Sequence, residues 1–358
     1  MRHNAVLLLL LLAHLACVGH GQEFVGWTGF QLGALKSTLW DSVFYNRTHG
    51  WAVGERDVLH ATSDAGQSWA ETTTGLGSQY TWYGISIPER CPTDACAVHD
   101  TIYLVGNSSI IAKSSNEGAA WERLSSFTFT DDFYSSRISS VVLRSVMGLP
   151  KTSSVFAVGD LGLILYSSDA GATWTQQSSA TRQTLHDVYF LGPAAGYAVG
   201  ALGTILRTSD LGGAWTVLKS GFEGFVAEPV NLQRVKAYWS SLRVGVPEES
   251  FAVVVGDAGV ILTSTDIGAS WVQKPTCSAQ TFFDVHFTMH VTSAGANNFS
   301  ASLEDGYVVG KEGVFCRTSN PTPGTPFFQP GRWDRIQTST LNDLHAVAGY
   351  RDNFPTAF

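Results

Sequence analysis

Charge is scarce in this chain. Only 15% of its 358 residues are charged, and 22 Lys and Arg stand against 30 Asp and Glu, a net charge of −8. No run of Lys or Arg occurs, which excludes a nucleic-acid or anionic-lipid surface as the main function. Long apolar runs are lacking too. The one candidate, Val6–Val18 within MRHNAVLLLLLLAHLACVGHGQ, has 13 residues, short of the ~20 that cross a bilayer. It has the build of a secretory signal, with Gly19 and Gly21 as the small residues before a cut at Gln22. Residues 1–21 are therefore expected to be a signal peptide and residues 22–358 a single exported domain without a membrane span. A lipid anchor at Cys17 is disfavoured because His14 stands where a lipoprotein box needs an aliphatic residue.

Cysteine is sparse as well. Setting the leader aside leaves Cys91, Cys96, Cys277 and Cys316, an even count that fits disulfides in an exported chain. Cys91-Pro-Thr-Asp-Ala-Cys96 can close a small loop and is the favoured bridge; Cys277–Cys316 follows by elimination. No Cys-x-x-Cys and no clustered His accompanies them, so neither a metal nor another cofactor is expected. A Gly-x-Ser-x-Gly elbow, a His-Glu-x-x-His helix and a phosphate-binding loop are all missing from the sequence, which removes the commonest hydrolase and nucleotide signatures. Asn46 and Asn298 are candidate glycan acceptors in a eukaryotic host; the third sequon, Asn107, sits in a tight turn.

What the chain has in quantity is glycine, 36 residues, together with aromatic and β-branched residues, a composition suited to short strands and tight turns. It also repeats. WAVGERDVLHATSDAGQSW (Trp51–Trp69) recurs as YLVGNSSIIAKSSNEGAAW (Tyr103–Trp121), FAVGDLGLILYSSDAGATW (Phe156–Trp174), YAVGALGTILRTSDLGGAW (Tyr197–Trp215) and VVVGDAGVILTSTDIGASW (Val253–Trp271). A sixth copy starts as YVVGKEGVFCRTSN at Tyr307 and runs into proline. The repeat tryptophans Trp69, Trp121, Trp174, Trp215 and Trp271 lie 52, 53, 41 and 56 residues apart. The shortest interval matches the ~40–50 residues of a propeller blade. The excess elsewhere maps to loops at Pro88–Thr101, Arg144–Ser154, Trp239–Ser250 and Thr288–Asp305.

Each unit reads as four strands joined by hairpins, a sheet too thin to bury both faces unless copies stack around an axis. The expected fold is all-β, a β-propeller of seven four-stranded blades, with six as the alternative count. Seven first strands are expected, at Leu39–Phe44, Tyr83–Ile87, Ile138–Leu143, Leu185–Phe190, Leu232–Ala237, Phe283–Phe287 and Leu341–Val347. An N-terminal strand near Phe24–Leu32 would pair with the C-terminal blade and close the ring.

The recurring turn places Asp64, Asn116, Asp169, Asp210 or Asp266 before a Gly and then Trp69, Trp121, Trp174, Trp215 or Trp271. The carboxylate or amide can accept backbone N–H groups of its own turn, the Gly permits positive φ, and the Trp buries a ring beneath. The pattern Ser-x-Asp-x-Gly-x-x-Trp is similar to the Asp-box, or bacterial neuraminidase repeat. The longer form, Val-Gly-x-x-Gly-x-Ile-x-x-Ser-x-Asp-x-Gly-x-x-Trp, resembles the photosystem II assembly and stability factor propellers of the thylakoid lumen. The resemblance implies that the box residues maintain the fold rather than catalyse. It also implies an arginine patch for docking, for which Lys113, Arg207 and Arg317 share one third-strand slot.

A sialidase-like site would need the Phe-Arg-Ile-Pro signature, which is absent, and the acidic candidates Asp131, Asp132, Glu223 and Glu228 are ordinary loop residues. The expected function is therefore a secreted, or alternatively thylakoid-lumenal, non-enzymatic scaffold that binds a protein partner as a monomer. A carbohydrate-active propeller enzyme is the alternative, with a glycan as the other conceivable partner. The candidate binding face comprises the residues after Val-Gly, namely Glu55, Asn107, Asp160, Asp257 and Lys311 (Ala201 in the fourth repeat), joined by aromatics of the strand-connecting loops, Phe127 and Phe222.

Overall fold

The repeat folds as four antiparallel strands in each of six copies. The computed structural model describes residues 37–46, 48–88, 101–130, 132–150, 152–192, 195–218, 230–239, 250–293, 299–319, 332–338 and 342–347. Blade one is Leu39–Phe44, Gly50–Gly54, Val58–Thr62 and Ala70–Thr73; blade two is Trp82–Ser86, Ile102–Gly106, Ile111–Ser114 and Glu122–Leu124. Blade three is Leu143–Gly148, Val155–Gly159, Ile164–Ser167 and Trp174–Gln177; blade four is Leu185–Gly192, Ala195–Gly200, Ile205–Thr208 and Thr216–Leu218. Blade five is Leu232–Trp239, Ser250–Gly256, Ile261–Ser264 and Val272–Gln273; blade six is Phe282–Ser293, Phe299–Gly310, Phe315–Ser319 and Asp334–Ile336. Strand order within each blade follows the chain.

The second strands of blades one to five are buried along their whole length, so they read as continuous apolar runs with a neighbouring sheet on both faces. Each pair of blades shares a core. Val53 and Leu59 of blade one meet Trp82, Ile85 and Leu104 of blade two, and Phe156 and Ile164 of blade three meet Val188, Phe190 and Leu206 of blade four. The segment 342–347, expected to be the seventh first strand, closes the circle. Leu344 and Val347 pack on Tyr307, Val309 and Phe315 of blade six, and Ala346 packs on Leu39, Phe44 and Ala52 of blade one. The described residues thus contain six four-stranded blades, the lower of the two expected counts, with one further strand-like segment between the sixth and the first. The expected strand near Phe24–Leu32 lies outside the described residues.

Two glycines of the repeat answer to geometry, one in all six copies and the box glycine in the first five. A Cβ on Gly200 would lie 2.0 Å from the carbonyl oxygen of Thr184, and the cognates Gly54, Gly106, Gly159, Gly256 and Gly310 are within 2.0–2.2 Å of the matching carbonyl. That carbonyl must come this close because it accepts the next backbone N–H, as Ala201 donates to Thr184 at 2.8 Å. The box glycine is needed twice over. Gly171 has φ +88, and a Cβ there would also press on Leu124 and Tyr103 of the preceding blade.

In the Asp-box, Asp169 Oδ1 accepts the Thr173 N–H at 2.8 Å and the Ser167 hydroxyl at 2.7 Å, while Oδ2 accepts the Thr173 hydroxyl at 2.6 Å. Asp64, Asn116, Asp210 and Asp266 repeat the Oδ1 pattern. The box tryptophans dock edge-on against aromatics: Trp69 on Phe44, Trp121 on Trp51, Trp215 on Phe190 and Trp271 on Tyr197. Trp174 is fully buried.

Three sequence expectations need correction. The first strand of blade three is Leu143–Gly148 rather than Ile138–Leu143, because residues 132–135 and 138–140 form short helical turns; the first part of the stretch expected as a loop from Arg144, residues 144–148, is therefore strand. Much of Thr288–Asp305 is also strand, since the first hairpin of blade six lengthens to pair Met289 with Leu303 and Ser293 with Phe299. Finally, Trp333, buried and edge-on to Phe287, precedes the fourth strand of blade six as the other box tryptophans do. A sixth repeat tryptophan therefore exists beyond the proline-rich stretch. The Cys277–Cys316 disulfide is present and ties the loop entering blade six to its third strand; Cys91 and Cys96 lie outside the described residues.

Two outcomes follow for stability. Gly200→Ala forces its Cβ into a backbone oxygen that cannot rotate away, and is expected to cost roughly 3 kcal/mol, read as a lower guanidinium midpoint. Hydrogen bonds, first that of the Thr173 hydroxyl, hold Asp169 down at about 2 against an ordinary 3.8. A depressed carboxylate stabilises the fold above its unfolded value and loses that contribution as pH falls through the folded one. Asp169→Ala should therefore lower the midpoint at pH 7, and its gap to the wild type should shrink between about pH 4 and about pH 2.

Candidate binding face at the propeller axis

Every first strand carries the same irregularity near its start. The pairing register shifts between Leu39 and Asp41, Trp82 and Gly84, Leu143 and Ser145, Leu185 and Asp187, Leu232 and Arg234, and Phe282 and Asp284. A bulge re-aims the skipped residue and the one after it. These two slots, one pair per blade, build the axis.

The slot after the bulge holds Asp41, Gly84, Ser145, Asp187, Arg234 and Asp284. Arg234, from blade five, reaches three other blades. Its Nη2 donates to Asp41 Oδ1 at 3.2 Å, its Nη1 lies 3.6 Å from Asp187 Oδ1, and its Nε lies 3.1 Å from Asp284 Oδ1. Each carboxylate also accepts a backbone N–H from the element that follows it around the ring: Asp41 from Ile85 of blade two, Asp187 from Val235 of blade five and Asp284 from Val347 of the segment 342–347, at 3.1, 2.9 and 2.8 Å. Ser145 adds a 2.7 Å hydrogen bond to Asp187. Burial works against the charge of Arg234, but Asp284, Asp41 and Asp187 outweigh it and hold the guanidinium protonated. Burial raises Asp41 above its ordinary value despite Arg234. The axis is thus filled by an ion cluster.

The skipped slot faces one mouth of the axis. It holds Trp40, Tyr83, Arg144, His186, Gln233 and Phe283, and residues 342–347 supply His345; all seven are half-buried. Four consecutive members are rings in contact: Phe283 stacks on His345 with centroids 4.7 Å apart, His345 lies 4.8 Å from Trp40, and Trp40 lies 5.5 Å from Tyr83. The other three are polar. Arg144 Nε donates to Asp160 at 2.8 Å, His186 Nδ1 lies 2.9 Å from the Leu232 carbonyl, and Gln233 Nε2 donates to Asp257 at 3.1 Å. Burial lowers both His186 and His345 below the ordinary imidazole value.

The expected face residues after Val-Gly do share this end, on short 3₁₀ turns. Three of them latch their own surroundings. Asn107 accepts the Thr81 N–H and donates to the Gln79 carbonyl, Asp160 holds Arg144, and Asp257 holds Asn231 and Gln233. Glu55 and Lys311 stand at the rim with side chains that bond nothing among the described residues, and Leu202, 55% exposed, projects from the turn of blade four. Phe127 is elsewhere: residues Phe127–Thr128 pair in parallel with the outer strand of blade three, and Phe127, Phe129 and Phe133 pack on its core. Phe222 and Asn298 lie outside the described residues. Asn46 is buried in its own hairpin, with Oδ1 accepting the backbone N–H groups of Thr48 and His49. Lys113, Arg207 and Arg317 lie on blades two, four and six and do not form a patch; Lys113 donates to Ala170, and Arg317 pairs with Asp305.

Sequence reasoning missed the axial ring itself. Its signal was the second residue of each first strand, a slot whose only regularity is its place between two apolar or axial residues. Among the described residues, no His, Cys, Asp and Glu group is disposed to hold a metal ion, and no helix is long and apolar enough to cross a membrane.

A family model described as photosynthesis system II assembly factor YCF48 matches residues 21–129. The chain is similar to that family. The match covers under a third of its length. Among solved structures, YCF48 bound to D1 peptide is 19% identical, with 78% of this chain and 93% of that chain covered and a TM-score of 0.40. YCF48 from Cyanidioschyzon merolae is 15% identical over 76% and 92%, with a TM-score of 0.38. The RRP9 WD40 repeats, 10% identical over 90% and 86%, reach a TM-score of 0.59 and show the shared propeller fold. No curated protein sequence matches.

Removing one partner of a buried ion cluster leaves the rest uncompensated, typically at about 3–5 kcal/mol. Arg234→Met should cost that much at pH 7 by denaturant unfolding. Asp41, already raised by burial, then loses Arg234, the main influence that lowers it, so the folded state takes up a proton more readily and the variant should recover stability as pH falls from about 7 to about 5.

Proposed function

We propose that this protein is a secreted or lumenal, non-enzymatic β-propeller that holds a protein partner during assembly, in the manner of the photosystem II assembly factors it resembles. One observation carries the non-enzymatic part. The axial carboxylates, the groups a propeller glycosidase would need free as acid, base or nucleophile, are each spent on Arg234 and on a backbone N–H of the next element around the ring. A buried carboxylate engaged on both oxygens by a guanidinium and a backbone N–H is poorly placed to meet a substrate as acid, base or nucleophile.

The partial match to the assembly-factor model supports the scaffold part. So does the rim of short turns, each pinned by a backbone hydrogen bond to the residue that precedes its blade's first strand. A preorganised surface loses little conformational entropy on docking. On that rim Leu202 is the exposed apolar contact, with Glu55, Arg56 and Lys311 as polar neighbours of the turn series.

The experiment is affinity capture of the tagged protein from the organism that makes it, with the wild type and Leu202→Arg compared. The expected outcome is co-purification of photosystem II subunits with the wild type and their loss, by about tenfold or more, with the variant. Recovery of no protein partner, or of glycans alone, would defeat the scaffold reading.

A further inference from the structure

We propose that the axial mouth is a binding site for a neutral sugar, with Trp40, Tyr83, Phe283 and His345 forming a stacking wall and Arg144, His186 and Gln233 supplying hydrogen bonds to hydroxyl groups. This goes beyond the scaffold reading and does not depend on it.

Three observations converge on that chemistry. The first is the division of the mouth. Rings from blades six, one and two and from the segment 342–347 touch in an unbroken arc, and every polar member falls on the opposite side. A pyranose has the matching division, with C–H groups on its faces and hydroxyls around its edge. Sites of this kind combine an apolar wall with a few placed polar groups.

The second is the set of hydrogen-bonding groups left over. Arg144 spends Nε on Asp160, and its two terminal nitrogens bond nothing among the described residues. His186 faces the Leu232 carbonyl through Nδ1, which therefore carries the proton and leaves Nε2 as an acceptor. Gln233 donates its amide nitrogen to Asp257, leaving Oε1 to accept. The arc thus offers both donors and acceptors. A hydroxyl is both at once, whereas a phosphate or carboxylate accepts only and an ammonium donates only.

The third is charge. Arg144 is paired with Asp160, and Arg234 at the centre of the axis is paired with three carboxylates. Neither arginine of the axis is unpaired, and Lys311, whose side chain bonds nothing among the described residues, stands on the rim turn of blade six rather than in the ring. Burial keeps both histidines of the mouth uncharged at neutral pH, which favours an uncharged ligand further.

The test is isothermal titration of the purified protein with cellotetraose, xylotetraose, mannotetraose, maltotetraose and galactobiose. Digalacturonate, inorganic phosphate and a tryptophan-bearing pentapeptide serve as competitors of other chemistry. Saturable binding of at least one neutral sugar is expected, in the micromolar to millimolar range, without release of new reducing ends. Trp40→Ala and Gln233→Leu should each weaken it by about tenfold or more. Trp40→Phe, which keeps a stacking face, should retain most of it, and thermal melts check that all three variants fold. The proposal is overturned if no neutral sugar binds at about 10 mM, or if binding is unchanged in folded Trp40→Ala and Gln233→Leu. It is equally overturned if digalacturonate, phosphate or the peptide binds at the mouth in preference to every neutral sugar. Partner capture through Leu202 is read separately, so either result can fail alone.

Discussion

Wedge-shaped sheets that close into a ring must bring their innermost strands together, and at the meeting point there is no room for seven ordinary side chains. The structure resolves this with one guanidinium. Arg234 spans from blade five to blades one, four and six, and the carboxylates it gathers each hold a backbone N–H of the next element around the ring. The smallest solutions fill the remaining slots: Gly84, whose Cβ would lie 3.0 Å from the Arg144 carbonyl oxygen, and Ser145. Buried ion pairs are poor sources of net stability, since desolvation offsets most of the Coulomb gain. Their value here is in registration, because the cluster is satisfied only when blades one, four, five and six sit at their correct angular positions. An apolar plug would hold the centre without specifying which blade stands where.

The two ends of each blade divide the labour. At the outer end the Asp-box closes the third hairpin through side-chain to backbone bonds, and its glycine and tryptophan lean on aromatic residues, in several cases of the preceding blade. Gly118 on Trp51, Gly171 on Tyr103 and Gly268 on Tyr197 are the same contact made three times. Insertions are tolerated nearby, as in the lengthened first hairpin of blade six and the residues preceding Trp333. At the other end the turn between the second and third strands is three residues long in all six blades, although residues 132–140 coil beside it between blades two and three. Loops tolerate insertion where nothing depends on their shape. The uniformity of the short-turn end is what a rigid binding surface requires.

This division also decides what could be seen in the sequence. The box, the Val-Gly strand end and the box tryptophans were legible because each has one physical solution, repeated with little change. The blade-three strand was misplaced because its residues 132–140 coil into turns that fill an otherwise strand-like apolar stretch, and Phe127 looked like a docking residue until it was found zipped along the outer edge of that blade. Trp333 was hidden by the distance from Ser319. The Cys277–Cys316 bridge, reached in the sequence by counting alone, is explained by position: Cys316 occupies the buried third-strand slot that Leu165, Leu206 and Leu262 fill in other blades.

The axial ring escaped notice for the opposite reason. Trp40, Tyr83, Arg144, His186, Gln233, Phe283 and His345 share a position and nothing else, so no repeat comparison brings them forward. Yet a slot that stays structurally equivalent while its chemistry varies from blade to blade is where a symmetric scaffold can stop being symmetric. In the six blades the bulge beneath each residue is the same and a buried leucine or aromatic precedes it, while His345 comes from the segment 342–347. The backbone is therefore already committed before the side chain is chosen. Seven independent choices then set the polarity of the mouth without disturbing the fold, and in this chain those choices sort into one aromatic arc and one polar arc. A set of residues selected only to fill space would have no reason to sort that way.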